Sequence, residues 1–285
     1  MQKQPHADSW YKATANLQLD FPALQGETCT DVCVIGAGYT GLSTALHLRQ
    51  RGYSVTVLEA NKVGWGASGR NGGHVGTGQR SGQDELEKLV GLDHAKALWQ
   101  LGLEAVDTVC QLIREHQIDC ELKQGNLHVA SKAKECAGLQ AEVEHLQRVY
   151  DYQQISYVDK SELSQLTSGT GFHAGLLDAG SRHLHPLNYA LGLAAAAAGL
   201  GARIHEGSRV LSYSEGDKIR VKTDSGEVQA QYLVLACNGY LEKLEPRAAG
   251  RIMPINNYML ATEPLQEDLA RRLIRDDTSM TDSLF

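Results

Sequence analysis

Two apolar runs stand out from an otherwise mixed chain. Asp31-Val-Cys-Val-Ile35 and Tyr232-Leu-Val-Leu-Ala236 run without alternation and end near glycine, the pattern of strands covered on both faces of a parallel sheet. After the first run, Leu42, Ala45, Leu46 and Leu48 mark one apolar helix face, predicting a helix over 40–51 closed by Gly52. Ser54 to Leu58 then predicts a second strand, with Glu59 at its C-terminal end. Helical periodicity runs from Asp84 to Gln117 with a break near Gly91-Leu-Asp93. Glu121 to Ala130 predicts a hairpin around Gln124-Gly125, followed by a helix over 132–149, a strand over 155–158 and a short helix from Ser161. Gly175 to Asp178 predicts a strand, and Pro186 begins a helix ending near Leu200. Further strands are expected over 203–205 and 208–213, with a hairpin of 218–223 and 227–231 around Asp224-Ser-Gly226. Near the end, 255–262 reads as a strand and 266–274 as a helix, whereas residues 1–28 read as an irregular arm.

The strand–helix–strand start carries Gly36-Ala-Gly38-Tyr39-Thr40-Gly41 at its first turn. Gly36 permits a tight turn, Gly38 lets backbone approach a pyrophosphate, and Gly41 lets helix and strand pack closely. The helix N-terminus offers amide donors and the positive end of its dipole to phosphate. Glu59 follows at the spacing of the acid that accepts hydrogen bonds from ribose hydroxyls, and it would repel a 2′-phosphate. This unit predicts a bound dinucleotide.

A second glycine cluster decides which one. Gly66-Ala67-Ser68-Gly69-Arg70-Asn71-Gly72-Gly73 directly follows the second strand, and an NAD site has no need of it there. FAD is longer, and its ribityl chain and ring must lie against backbone free of side chains. Ser68 and nearby amides are candidates for the pyrophosphate, and Arg70 for negative charge on phosphate or flavin. His74 comes next and is a candidate for a place beside the flavin ring.

Composition narrows the classes. A net charge of −7 and the absence of any basic run argue against nucleic acid. The Ala-rich stretch from Leu191 to Ala202 is too short to span a membrane. The first twenty residues show no secretory signal. No two of the six cysteines form a C-x-x-C pair, so free thiols in a reducing cytoplasm are expected. His183 and His185 form an H-x-H that would face one way on a strand, but no third metal ligand is indicated.

The two glycine-rich motifs, with Gly175-Leu-Leu-Asp178, His183-Leu-His-Pro186 and Tyr232-Leu-Val-Leu-Ala-Cys-Asn-Gly239, resemble the FAD-dependent oxidoreductases of the D-amino-acid/glycine/sarcosine oxidase family. The resemblance implies an α/β fold: a Rossmann-like FAD-binding domain interleaved with an α+β substrate domain built on an antiparallel sheet. It assigns 29–82 and 172–245 to the flavin domain and 83–171 and 246–285 to the substrate domain. FAD contacts implied are Gly36, Gly38, Tyr39, Thr40, Gly41, Glu59, Ala60, Gly66 to Gly73, His74, Val210 near the adenine, Ala236 and Gly239. The activity implied is oxidation of a small-molecule amine by hydride transfer to the flavin, with molecular oxygen as acceptor and hydrogen peroxide as product. A γ-glutamylated polyamine is the expected substrate; a sarcosine- or glycine-type amino acid is the alternative, and a silent dinucleotide-binding fragment a third reading. No catalytic side chain is singled out. The stretch 278–285 reads as no natural domain end, so an incomplete substrate domain and poor oxidase activity are expected of this chain alone.

Overall fold

The computed structural model describes residues 3–282. The N-terminal arm contains one short helix, α1 (Trp10–Ala13), whose first turn is capped by Ser9 Oγ accepting from the Lys12 amide. β1 (Gly26–Ile35) begins five residues before the predicted strand. α2 (Tyr39–Gln50) and β2 (Val55–Leu58) lie within one residue of their predicted bounds. After β3 (His74–Val75), α3 (Gln83–Val90) and α4 (Leu92–Glu115) are split at Gly91, whose φ of 81° stops the first helix.

β4 (Lys123–Ala130) is one strand where the sequence predicts a hairpin. Gly125, at φ 96°, stays within the strand: the register shifts between Gln124 and Asn126, where the single Gly125 faces residues 179–181 of β6, so the extra residues of the bulge lie on β6. α5 (Cys136–Val149), β5 (Ile155–Val158), α6 (Lys160–Leu166), β6 (Ala174–His183) and α7 (Pro186–Gly199) follow. Asp159 and Glu162 form a reciprocal capping box at the start of α6. β7 (Arg203–His205), β8 (Val210–Ser214) and β9 (Ile219–Thr223) lead to β10 (Gly226–Leu235). The predicted runs at 227–231 and 232–236 are thus one strand.

After α8 (Pro246–Ala249) the expected strand over 255–262 is absent. That segment has no neighbour to pair with among the described residues, and Ile255, Tyr258 and Leu260 are exposed. α9 (Glu267–Leu273) and β11 (Ser279–Asp282) complete the described chain.

The chain divides into two compact units. The first comprises 1–72, 113–120 and 185–261. Its sheet has the order β7-β2-β1-β10-β9-β8, with the first four strands parallel and the last two antiparallel. Leu24, Cys33, Ile35, Leu58, Val221 and Val228 form one of its cores. Leu42, Leu46, Leu187 and Leu193 are also fully buried, and each such side chain contributes about 1.5–3 kcal/mol. The Ala-rich helix α7 is buried along most of its length because its small residues permit close approach. A Cβ on Gly192 would lie 2.2 Å from Ile118 Cγ2.

The second unit comprises 73–112, 121–184 and 262–285. β6 is the central strand: β4 runs antiparallel along one edge, while β5 and β3 pair with its two halves on the other. β11 adds to β4 in parallel. Trp99, Leu139, Val143, Leu146, Tyr152 and Leu176 form its larger core. The unit boundaries differ from the expected ones because β3 and β6 belong to this sheet. That moves 73–82 and 172–184 out of the first unit, while 113–120 and 246–261, expected in the substrate domain, cluster with the first.

Candidate functional site

A cavity of about 700 Å³ opens in the first unit at the C-terminal ends of its parallel strands, where open α/β sheets bind ligands. It brings together Gly36, Gly38, Glu59, Ala60, Gly66, Ala67, Ser68, Val210 and Ala236, expected from separated stretches of sequence. Gly36 has φ 106°, and a Cβ there would sit 2.6 Å from Ala236 O, so this turn admits only glycine. Gly38 ends the turn and caps α2 without a side-chain hydrogen bond. Ser68 Oγ takes the Tyr39 amide, and the rest of the positive end of α2 is available to an anionic ligand.

Glu59 is held in place by backbone. Its two oxygens accept from the amides of Ala37 at 2.8 Å and Asn61 at 2.9 Å. Each carboxylate oxygen keeps acceptor capacity beyond these bonds. Burial raises the Glu59 pKa, while the Ala37 and Asn61 amides oppose that rise. Ser68 Oγ accepts from the Tyr39 amide at 3.0 Å, which leaves its own proton for donation.

Other expected residues lie outside the cavity lining. Gly41 packs on the backbone of Gly36. Thr40 is exposed in the first turn of α2. The Tyr39 ring lies 5.2 Å from that of Tyr189, and its hydroxyl donates to Pro186 O at 3.0 Å. Asn71 Nδ2 donates to Ala67 O and Ser68 O, holding the second glycine loop closed, and Gly69 packs on Gly64 O and Leu187. Gly72 is exposed at the loop's end, and Gly239 sits in the short turn Asn238–Leu241 without lining the cavity. Arg70 turns back on its own loop: it donates to Trp65 O, and its guanidinium lies 4.7 Å from the Trp65 ring centroid.

Gly73 and His74 belong to the second unit. Gly73 has φ 69°, and a Cβ there would lie 2.0 Å from Leu184 O. His74 faces His183 in register. Burial first, and then the neighbouring His183, lower the His74 pKa and favour neutral imidazole. The H-x-H reading does not survive, because its two members lie on different elements. His183 ends β6 and contacts Asp277 O, whereas His185 caps α7, its Nδ1 accepting from the Asn188 amide. Among the described residues no cluster of three metal-ligating side chains occurs.

Sequence reasoning missed the other side of the cavity. Gln4, Asn61, Trp65, Cys237 and Tyr240 line it. Trp65 was visible as an aromatic among glycines, and its ring meets that of Tyr240 edge-on at 5.7 Å. Burial first, and then Glu59, push the Cys237 thiol up to about 11. It therefore stays protonated at neutral pH and offers no thiolate nucleophile.

Behind the Glu59 loop, the buried carboxylate of Glu206 meets Lys3 Nζ at 2.5 Å and Lys62 Nζ at 2.9 Å. Both lysines also reach Asp20 at 2.8 Å. These bonds hold the Asp20 carboxyl at about 2, below its ordinary 3.8. A depressed carboxylate stabilises the fold above its unfolded pKa and loses that contribution as pH falls through the folded value. The arm is thus expected to loosen between about pH 4 and pH 2. A tryptophan-fluorescence titration should show this step, and Asp20→Asn should remove it; an unchanged titration would count against the link.

A Rossmann-type sheet with two glycine turns and a strand-end acid around one cavity defines a dinucleotide-binding protein of the flavoprotein class. Comparison gives the family: residues 31–284 match the family described as FAD dependent oxidoreductase (DAO), and the chain belongs to it. It is 40% identical over 270 residues to gamma-glutamylputrescine oxidoreductase of Escherichia coli (strain K12), covering 94% of this chain and 63% of that protein. It is 38% identical over 258 residues to the probable oxidoreductase OrdL of Rhizobium meliloti (strain 1021), covering 90% of this chain and 60% of that one. The chain therefore spans less than two thirds of the length of these relatives. Glycine oxidase from Geobacillus kaustophilus shares the fold, with a TM-score of 0.63 at 20% identity over 77% of this chain and 58% of that one. No helix among the described residues is long and apolar enough to cross a membrane.

Proposed function

We propose that the cavity holds FAD and that the protein of which this chain forms part or all oxidises an amine. The observation carrying this reading is the convergence of Gly36–Gly38, Glu59–Ala60, Gly66–Ser68 and Ala236 on one cavity. The residues fit the cofactor. A glycine turn at a helix N-terminus suits a pyrophosphate, a backbone-held Glu59 suits ribose hydroxyls, and Val210 with Leu211 supplies apolar surface for a base. Ser68 would donate to the pyrophosphate, and the amides of the Gly66–Gly69 loop would face the rest of the cofactor with no side chains in the way.

When bound, FAD supplies a hydride acceptor that oxygen can restore, releasing hydrogen peroxide. The protein's part is orientation and electrostatics. The substrate amine must be deprotonated so that its lone pair assists loss of hydride from the adjacent carbon. Identity of 40% to a gamma-glutamylputrescine oxidoreductase supports a γ-glutamylated polyamine as that amine. Six free cysteines support a cytoplasmic place.

Titration of the purified chain with FAD, FMN and NAD⁺, followed by flavin fluorescence and calorimetry, tests the cofactor. Binding of FAD well ahead of the other two supports the reading; NAD⁺ preference or no binding overturns it. Gly38→Val is expected to weaken FAD binding by at least about tenfold, because its Cβ would lie 2.8 Å from Ser68 Oγ at the cavity wall. Its circular dichroism should remain that of the parent. Peroxide release with γ-glutamylputrescine against sarcosine then tests the substrate.

A further inference from the structure

We infer that the start of the N-terminal arm is a strap that closes the ribose end of the cavity and slows release of FAD. This inference rests on the FAD reading above. Terminal residues of a domain are ordinarily poorly ordered unless something ties them down. Here four ties converge within three residues. Lys3 Nζ bridges Glu206 and Asp20. The Gln4 amide donates to Asn61 Oδ1 at 3.2 Å, and Trp65 Nε1 donates to Pro5 O at 3.0 Å.

The ties to Asn61 and Trp65 end on residues that line the cavity. Asn61 donates its own amide to Glu59 Oε1 at 2.9 Å, so Gln4 is one residue removed from the acid expected to hold the ribose. Trp65 opens the second glycine loop, and Gln4 itself lines the cavity. The anchor is the buried Glu206, only 1% exposed. A buried carboxylate is costly unless it is paired. Its partners come from two places: Lys3 and the Phe21 amide on the arm, Lys62 and the Val63 amide on the loop after β2. Glu206 therefore joins the arm to the segment that carries Glu59 and Asn61. A merely structural tail would need the anchor but would have no reason to place a residue in the cavity wall.

Lys3 and Glu206 are positioning residues, while Gln4 touches the ligand space directly. The test is a stopped-flow measurement of FAD release from the 285-residue chain, with free flavin trapped by an excess of a second flavin-binding protein. Removing residues 1–6 is expected to raise the release rate about tenfold with a smaller change in the association rate. Lys3→Met keeps the arm but removes its pin, and Gln4→Gly keeps the pin but removes the side chain. Each is expected to raise the release rate by a lesser factor. Lys12→Ala, on the exposed face of α1, should match the parent. These point variants keep the measurement open if the deletion impairs folding. Parental release rates in both point variants would overturn the strap while leaving FAD binding intact. Failure of the parent chain to bind FAD would overturn the cofactor reading and the strap together.

Discussion

Gly41→Ala is expected to destabilise the first unit strongly, an effect larger than any loss of ligand affinity. A Cβ at this position would lie 1.9 Å from Gly36 O, 3.1 Å from Gly36 C and 3.3 Å from Val34 Cγ1. The nearest atoms are backbone, so no side-chain rotation relieves the clash. Nor is the backbone free to retreat: the Gly36 amide donates to Leu58 O at 2.8 Å, and Gly36 in turn abuts Ala236. Helix α2 must move away from the sheet, uncovering Leu42 and Leu46. The expected cost is about 3–5 kcal/mol, equivalent to a fall in Tm of roughly 10 °C for a unit of this size. Thermal denaturation followed by circular dichroism measures it. A Tm within about 2 °C of the parent would sink this account of the turn. The contrast with Gly38→Val is informative, since there the added group meets the Ser68 hydroxyl at the cavity wall and the fold should persist.

The second unit has its own critical residue. The buried Asp178 carboxylate accepts from Thr77 Oγ1 at 2.6 Å, the Gly180 amide at 2.9 Å, Ser181 Oγ at 2.5 Å and the Tyr152 hydroxyl. Four donors thus converge on two oxygens. Asp178→Ala strands them all, and each buried unsatisfied donor costs about 1–3 kcal/mol. With partial relaxation, a loss of about 3–5 kcal/mol is expected in urea denaturation. Asp178→Asn should be no rescue, because its NH2 would point donors at donors. In a cycle with Tyr152→Phe, the two losses should sum to more than the double variant loses, since the phenylalanine ring carries no hydroxyl to satisfy. Full recovery by asparagine would show that shape, not acceptor count, matters there.

The βαβ unit was legible because its physics is local. Unbroken apolar runs, one helical face, three glycines and a strand-end acid lie within 31–60, and each needs only its neighbours. The glycines of 66–73 were legible as a cluster, yet the motif points Arg70 at a ligand when the Trp65 ring and carbonyl already engage it. What escaped depends on distant partners. β10 continues through 226–235 only because β1 offers it a partner throughout. The apolar residues of 255–262 promised a strand, but an apolar run does not specify a neighbour. Gly125 looks like a turn residue in isolation, and only pairing with β6 keeps it inside a strand, opposite the extra residues 179–181. Lys3 and Gln4 carried no signal at all, since their roles require Glu206 and Asn61.

The pairing of β1 with β10 also sets a timetable. Gly26 lies against Gly226 and Ile35 against Leu235, across a separation of 200 residues that never varies. At ribosomal speeds of about 5–20 residues per second, that interval is roughly 10–40 s. During it β1 can join β2 but not β10, so the edge carrying Cys33 and Val34 emerges long before its cover. A nascent chain in that condition is a substrate for chaperones, and slow codons between β2 and β10 would lengthen its exposure. Yield of this protein should therefore respond to translation rate more sharply than its folded stability would suggest.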